Sequence, residues 1–188
     1  ESKQIYASTD SSTTAGELIG ITASNAAATG SYSFEVDQIA TKHKLSSDTI
    51  GVAAGADATG ISGTGQFTIT GGTGSSQITV NAGDTLQDIR DKINNLTDST
   101  GVQASVIKVS PTESTLIFTS TSEGEDNRIS FSDDTGAVLQ NLGVLSDPTT
   151  INAANVIDGG NNALIKLDGV TVSRSSNEFS DLVDGLSI

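Results

Sequence analysis

The sequence predicts a mainly β fold with one clear helix, a β-rich α+β arrangement. Three observations carry this. Aromatic residues make up only 4% of the chain, while β-branched Thr, Val and Ile are abundant, and these favour pleated strands. Apolar residues recur in short alternating runs separated by Gly, Ser, Asn and Asp, the signature of strands and turns. Helical spacing occurs convincingly once, at Leu86, Ile89, Ile93 and Leu96.

In chain order, Gln4 to Thr9 reads as a strand, Asp10 to Gly16 as a Ser/Thr-rich turn, and Leu18 to Ser24 as a second strand. Ala26 to Gly30 is a run of small residues. Tyr32, Phe34 and Val36 then alternate with Ser33 and Glu35, which gives one apolar and one wet face. Ile39 breaks that alternation by one, so a bulge near Asp37 or Gln38 is expected to return it to the core face. Thr41 to Leu45 changes texture, and the small, glycine-rich stretch from Gly51 to Gly65 reads as a crossing between domains or a long surface excursion.

Patterning resumes with Phe67 and Ile69, a loose hairpin at Gly71 to Ser76, then Ile78 and Val80. The helix is expected over about 84–96. Asp84 is placed to cap it with Gln87 three residues on, and Asp88 and Lys92 lie four apart on the wet side. Val102 to Val109 and Thr115 to Ser120 follow, joined by a turn at Pro111. Both carry apolar residues on both faces, so both are expected to be central strands. Ile129 and Phe131 predict another strand, and Ala137 to Leu142 a short helix with Leu139 and Leu142 inward. Asp147 to Asn155 and Asp158 to Asn162 read as turn and loop. Asp168-Gly169 between two apolar runs is the strongest short hairpin signal in the chain. Ser180 to Asp184 suggests one helical turn closed by Gly185, with Leu186 and Ile188 opening a strand.

The 188 residues fit one large or two small domains. Nine Lys and Arg stand against 23 Asp and Glu, a net charge of −14. Such a chain repels nucleic-acid phosphates and anionic membrane surfaces alike. No apolar run approaches the ~20 residues that span a bilayer. With no Cys there is neither a disulfide framework nor a thiolate metal site. Ser and Thr form roughly a quarter of the chain, above ordinary usage. Glu1 opens the sequence with no basic-apolar leader and the last residues stop within a predicted strand, so the chain reads as a piece of a longer one.

Candidate sites are few. The single His, His43, lies between Lys42 and Lys44 and reads as a surface residue rather than a triad member. Gly71, Gly72 and Gly74 lack the Lys-Ser/Thr and the helix that a phosphate loop requires. Glu123, Glu125 and Asp126, and Asp133 and Asp134, lack calcium-loop spacing and read as solvated loop acids. Asn95-Leu96-Thr97 matches a glycosylation sequon at a helix end. Aromatic sugar platforms are scarce. No catalytic residue, metal site or cofactor site is expected.

Three segments resemble one known family. Ala82-Gly83-Asp84-Thr85-Leu86-Gln87-Asp88-Ile89-Arg90-Asp91-Lys92-Ile93-Asn94, with Gly101 to Ser105 after it, resembles the flagellin IN motif. Leu167-Asp168-Gly169-Val170-Thr171-Val172-Ser173-Arg174-Ser175-Ser176-Asn177, then Leu182 to Leu186, resembles the start of the C-terminal region of the flagellar hook-associated protein 2 family. Gly30 to Val36 with Gln38 to Ala40 is similar to the end of that family's N-terminal region. The motif residues Asp84, Leu86, Ile89, Ile93, Asp168, Gly169, Arg174 and Asn177 all suit fold-forming roles, with Asn177 placed to cap the short helix after it.

The resemblance implies a structural protein, not an enzyme. It implies the head of a flagellar filament cap that promotes flagellin polymerisation at the tip, extracellular and exported by the flagellar type III apparatus. It also implies partnership with flagellin and with itself in a ring-like homo-oligomer. No leg-type heptads occur here, so the chain is expected to be the head alone, and monomeric. One β-rich domain, 1–44 plus 151–188, would be interrupted by another, 45–150. The rival reading is the outer domain of a flagellin or an adhesin-like β module, and host-surface glycans are a further conceivable partner of an exposed head.

Overall fold

A computed structural model describes residues 19–27, 29–51 and 63–188. The expected strand at Gln4 to Thr9, the turn at Asp10 to Gly16 and most of the Gly51 to Gly65 crossing lie outside the described residues. The strands are β1 (Thr22–Ala23), β2 (Phe34–Gln38), β3 (Lys42–Ser46), β4 (Ile50–Gly51), β5 (Gly65–Gly71), β6 (Gly74–Val80), β7 (Val102–Ser110), β8 (Glu113–Glu123), β9 (Ser130–Thr135), β10 (Val156–Gly159), β11 (Ala163–Leu167), β12 (Val170–Arg174) and β13 (Leu186–Ser187). The helices are α1 (Leu86–Asn94), α2 (Thr97–Thr100) and α3 (Val138–Asn141). No described helix is long and apolar enough to cross a membrane.

Among the described residues two hydrophobic cores form. The larger gathers Phe67, Ile69, Ile78, Val80 and Phe131 from the antiparallel sheet β6-β5-β9. Against them lie Leu45, Val102, Leu116 and Phe118 of a second sheet, in which β8 pairs with β7 on one side and with β3 and β4 on the other, and β10 continues from β3. Phe118 and Phe131 meet edge to face with centroids 5.0 Å apart, a favoured aromatic geometry. Leu86, Ile89 and Ile93 of α1 are fully buried in this core, as the 3-4 spacing dictates. Leu139 and Leu142 enter it from the expected short helix. The smaller core consists of Ala40, Ala163, Ile165 and Phe179, with Val172, Leu182 and Ile188 half-buried around it. It packs on the sheet β12-β11-β2 and beside the pair β1-β13.

Several expectations are corrected. Among the described residues β7 is an edge strand, not a central one, because it pairs only with β8; its apolar Ile107 and Val109 are 51% and 56% exposed. The bulge on β2 is real, since Gln38 and Val36 face the consecutive residues Leu164 and Ile165 and Asp37 is the extra residue. It does not bury Ile39, which is 60% exposed. The loose hairpin is tight instead: Gly71 pairs with Gly74 across a two-residue loop. Asp158 and Gly159 belong to a strand, β10, rather than a loop. Ser180 to Asp184 forms bends and a turn, not a helix. The stretch from Thr41 to Leu45 contains a core strand, β3.

Candidate functional site

The helix entry is built one residue later than expected. Thr85 is the N-cap, and its hydroxyl accepts from the Asp88 N–H at 3.2 Å while the Asp88 carboxylate accepts from the Thr85 N–H at 2.8 Å. This is a full capping box, with Asp88 replacing the expected Gln87. Asp84 instead accepts from the Asn81 N–H at 2.7 Å and forms an ion pair with Lys92. Burial pushes the Asp84 carboxyl up, but the Lys92 ammonium and the Asn81 N–H outweigh it and hold the group below its usual value. The expected Asp88–Lys92 pairing therefore gives way to Asp84–Lys92.

The second motif forms a turn and two clamps. Asp168 and Gly169 have φ of +48° and +83°, the left-handed pair that a two-residue hairpin with native twist demands. The Asp168 carboxylate accepts from the Ser33 N–H at 2.8 Å, and its own N–H donates to the Ser33 carbonyl at 2.9 Å. The turn thus fastens the hairpin to the entry of β2. Arg174 donates from Nη2 to Asp181 Oδ2 at 2.7 Å and from Nε to the same oxygen at 3.1 Å. That hydrogen bond holds the Asp181 carboxyl below its ordinary range. Asn177 caps no helix. Its Oδ1 accepts from the Ala40 N–H at 2.7 Å and its Nδ2 donates to the Ala40 carbonyl at 3.0 Å. One side-chain amide thereby pairs with the backbone of a buried residue, as a neighbouring strand would.

His43 is buried, not at the surface as expected. It is 5% exposed, because β3 alternates inward and outward and His43 and Leu45 take the inward positions. Its Nδ1 accepts from the Ile129 N–H at 2.8 Å, which fixes the neutral ring with its proton on Nε2. Burial first, then the nearby Arg128 guanidinium, push its pKa down; Asp158 opposes them. Around it lies a dense polar seam between the two cores. Arg128 Nε donates to the Gly159 carbonyl at 2.7 Å and the Gly160 carbonyl at 3.0 Å. Asp158 accepts from the Thr41 hydroxyl at 2.7 Å and the Gly160 N–H at 2.9 Å, and these hold its carboxyl low. Gly160 has φ +66°, and a Cβ there would meet the His43 backbone N at 2.9 Å, so the close approach requires glycine.

The acidic pairs also have local work. Asp133 accepts from the Leu139 and Gln140 N–H groups, both at 2.9 Å, at the start of α3. Asp134 accepts from Thr68 and Gln77 on the wet face of β5 and β6. Among the described residues no group of three or more His, Cys, Asp or Glu is arranged to hold a metal. The exposed side of β2 carries a shallow apolar groove edged by Phe34, Val36 and Ile39 and floored by Ile165, Phe179 and Ile188. The motif residues thus serve three separate places: the α1 entry, the β11–β12 turn with its tail, and the seam beside Ala40. They do not converge on one chemical centre. Sequence reasoning missed the seam, whose only signal was the alternation of Lys42, His43, Lys44 and Leu45.

Residues 66–122 match the model of the flagellin hook IN motif. The B-type flagellar hook-associated protein 2 of Pseudomonas aeruginosa is 30% identical over 179 residues, which is 91% of this chain and 37% of that protein. The flagellar hook-associated protein 2 of Escherichia coli is 32% identical over 182 residues, 93% of this chain and 36% of that protein. The chain therefore spans less than two fifths of either relative. Among solved structures, the D2-D3 domains of the flagellar cap protein FliD from Serratia marcescens superpose with a TM-score of 0.71 at 26% identity, covering 89% of both chains. The D1-D2-D3 domains of the Escherichia coli protein give 0.73 at 26% identity, covering 89% of this chain and 47% of that one. A flagellin outer domain or an adhesin-like module is not favoured by these matches. The chain is a homologue of the flagellar hook-associated protein 2 cap proteins, and it carries the fold of their D2-D3 domains.

Proposed function

We propose that this chain is the head of a flagellar filament cap, a structural assembly element that helps flagellin polymerise at the filament tip and performs no catalysis. The observation that carries this reading is the mutual 89% coverage with the two-domain cap structure. In this reading the head is extracellular, is exported by the flagellar type III apparatus, and works with flagellin and with further copies of the complete protein. A charge of −14 makes contacts between neighbouring heads salt-sensitive. The 188-residue chain alone is a monomer, because it carries no leg-type heptads to close a ring.

The head is organised as one unit of 1–44 plus 151–188 with 45–150 inserted. The separate small and large cores support a division into two units, with Ile151 packed on the larger core and β10 in its sheet. β3 and β10 are the strands by which the chain enters and leaves the insert, and they lie paired side by side. Asp84, Leu86, Ile89, Ile93, Asp168, Gly169, Arg174 and Asn177 act in this reading as architectural residues.

Deleting the complete gene tests the assembly role. Flagellin should then be exported yet lost to the medium, with filaments restored by the intact gene. Normal filaments in the deletion strain would refute it. Light scattering on the isolated chain should give one monomer mass; a stable ring at micromolar concentration would overturn the monomer reading.

A further inference from the structure

We infer that His43 is an acid-sensitive latch on the seam between the two cores, so that protonating its ring releases the 124–129 segment from the end of β10 and the 160–162 loop while both cores stay folded. The geometry is specific. The Ile129 N–H points at the unprotonated Nδ1 at 2.8 Å. Adding a proton to Nδ1 sets donor against donor, so the bond cannot survive without the ring or the loop moving. Ile129 is 2% exposed, so its N–H has no water to turn to and is left unsatisfied.

The neighbours decide how far the effect travels. β3 holds the His43 backbone through its N–H to Ser120 Oγ of β8, at 2.9 Å. β8 presents that neutral hydroxyl to His43. The charged groups that act on the ring are Arg128, adjacent in sequence to Ile129, and Asp158 of β10. Arg128 also pairs with Glu125 at 3.2 Å, and Lys44 of β3 acts on Asp158. A cationic imidazole beside Arg128 pushes away the residue whose Nε clasps the Gly159 and Gly160 carbonyls. The Glu125 N–H bond to Asn162 Oδ1, at 2.9 Å, lies on the same loop and loosens with it. By contrast, Asn177 holds the Ala40 backbone through two bonds that do not involve the His43 ring. The latch therefore leaves the Asn177–Ala40 clamp closed.

The sign follows from the ordinary imidazole value of about 6.5. The folded group titrates lower, so the unfolded chain binds the extra proton first on acidification. Stability from this group is complete above about 6.5, falls as pH drops below it, and levels off below the folded value.

The test is amide exchange and histidine NMR on the 188-residue chain between about pH 7.5 and about pH 4.5, a range that brackets the ordinary imidazole value of about 6.5 and extends below it. After correction for intrinsic exchange, protection of the Ile129 amide should drop at least about tenfold with the midpoint of the His43 ring titration. Protection at Ile93 and Ile165 should hold. His43→Asn places an amide oxygen near the Nδ1 position, so the Ile129 bond persists and the pH response should vanish. Unchanged Ile129 protection through the His43 titration would overturn the latch, as would an equal drop in the Asn variant or simultaneous loss at Ile93 and Ile165. If His43→Asn does not fold, the wild-type midpoints decide: coincidence supports the latch and separation refutes it.

Discussion

Asn177 offers a sharp test of what holds the chain's return segment to the small core. Asn177→Ala removes an acceptor at 2.7 Å from the Ala40 N–H and a donor at 3.0 Å from the Ala40 carbonyl. Ala40 is 3% exposed, so both of its backbone groups lose the partners that Asn177 supplies. A stranded buried donor or acceptor costs about 1–3 kcal/mol. Asn177 itself is exposed, so water enters the gap and recovers part of that loss. The expected destabilisation for the two groups together is therefore about 1–3 kcal/mol rather than twice that. Asn177→Asp should be no better: it keeps the acceptor but turns a carboxylate oxygen toward the Ala40 carbonyl. Urea unfolding followed by Ile165 and Ile93 amide signals reads the effect. The loss should fall on the small core, with Ile165 unfolding earlier and Ile93 little changed. A shift below about 0.5 kcal/mol, the usual range for surface substitutions, would refute the clamp.

Other expectations follow from the same geometry. Phe118→Ala empties the aromatic pair at the centre of the larger core and should cost about 3–5 kcal/mol in urea unfolding. Thr85→Ala breaks the capping box and should cost about 0.5–2 kcal/mol, whereas Gln87→Ala should leave the cap intact. Gly169→Val forces a β-branched residue to φ +83° and should destabilise the hairpin by at least about 1–2 kcal/mol, read as lost exchange protection across β11 and β12. Thermal melts should show stability falling between about pH 6.5 and lower values, with His43→Asn flattening that slope.

The elements legible in the sequence were those set by local rules. The face of α1 follows from spacing alone, and Asp168-Gly169 from the positive φ that its turn demands. The cap was misplaced by one because Asp84 and Thr85 are both competent N-caps; the choice fell to Asp88, which reaches the Thr85 N–H, while Lys92 drew Asp84 away. β7 read as central because Val106 and Ile107 alternate into both faces, and nothing local records that its outer edge is covered at Ala104 by the Asn94 amide rather than by a strand. His43 read as a surface residue because two lysines flank it. Its partners, Ile129 and Ser120, are 86 and 77 residues away. Asn177 likewise meets Ala40 across 137 residues. Contacts of that separation are products of the fold and leave no short-range pattern.

The cap reading is tested most directly by where the protein sits on the organelle. Gold-labelled antibody raised against this 188-residue chain should mark intact filaments at the distal tip alone. Labelling distributed along the filament would contradict it and would instead indicate a surface domain carried by every flagellin subunit.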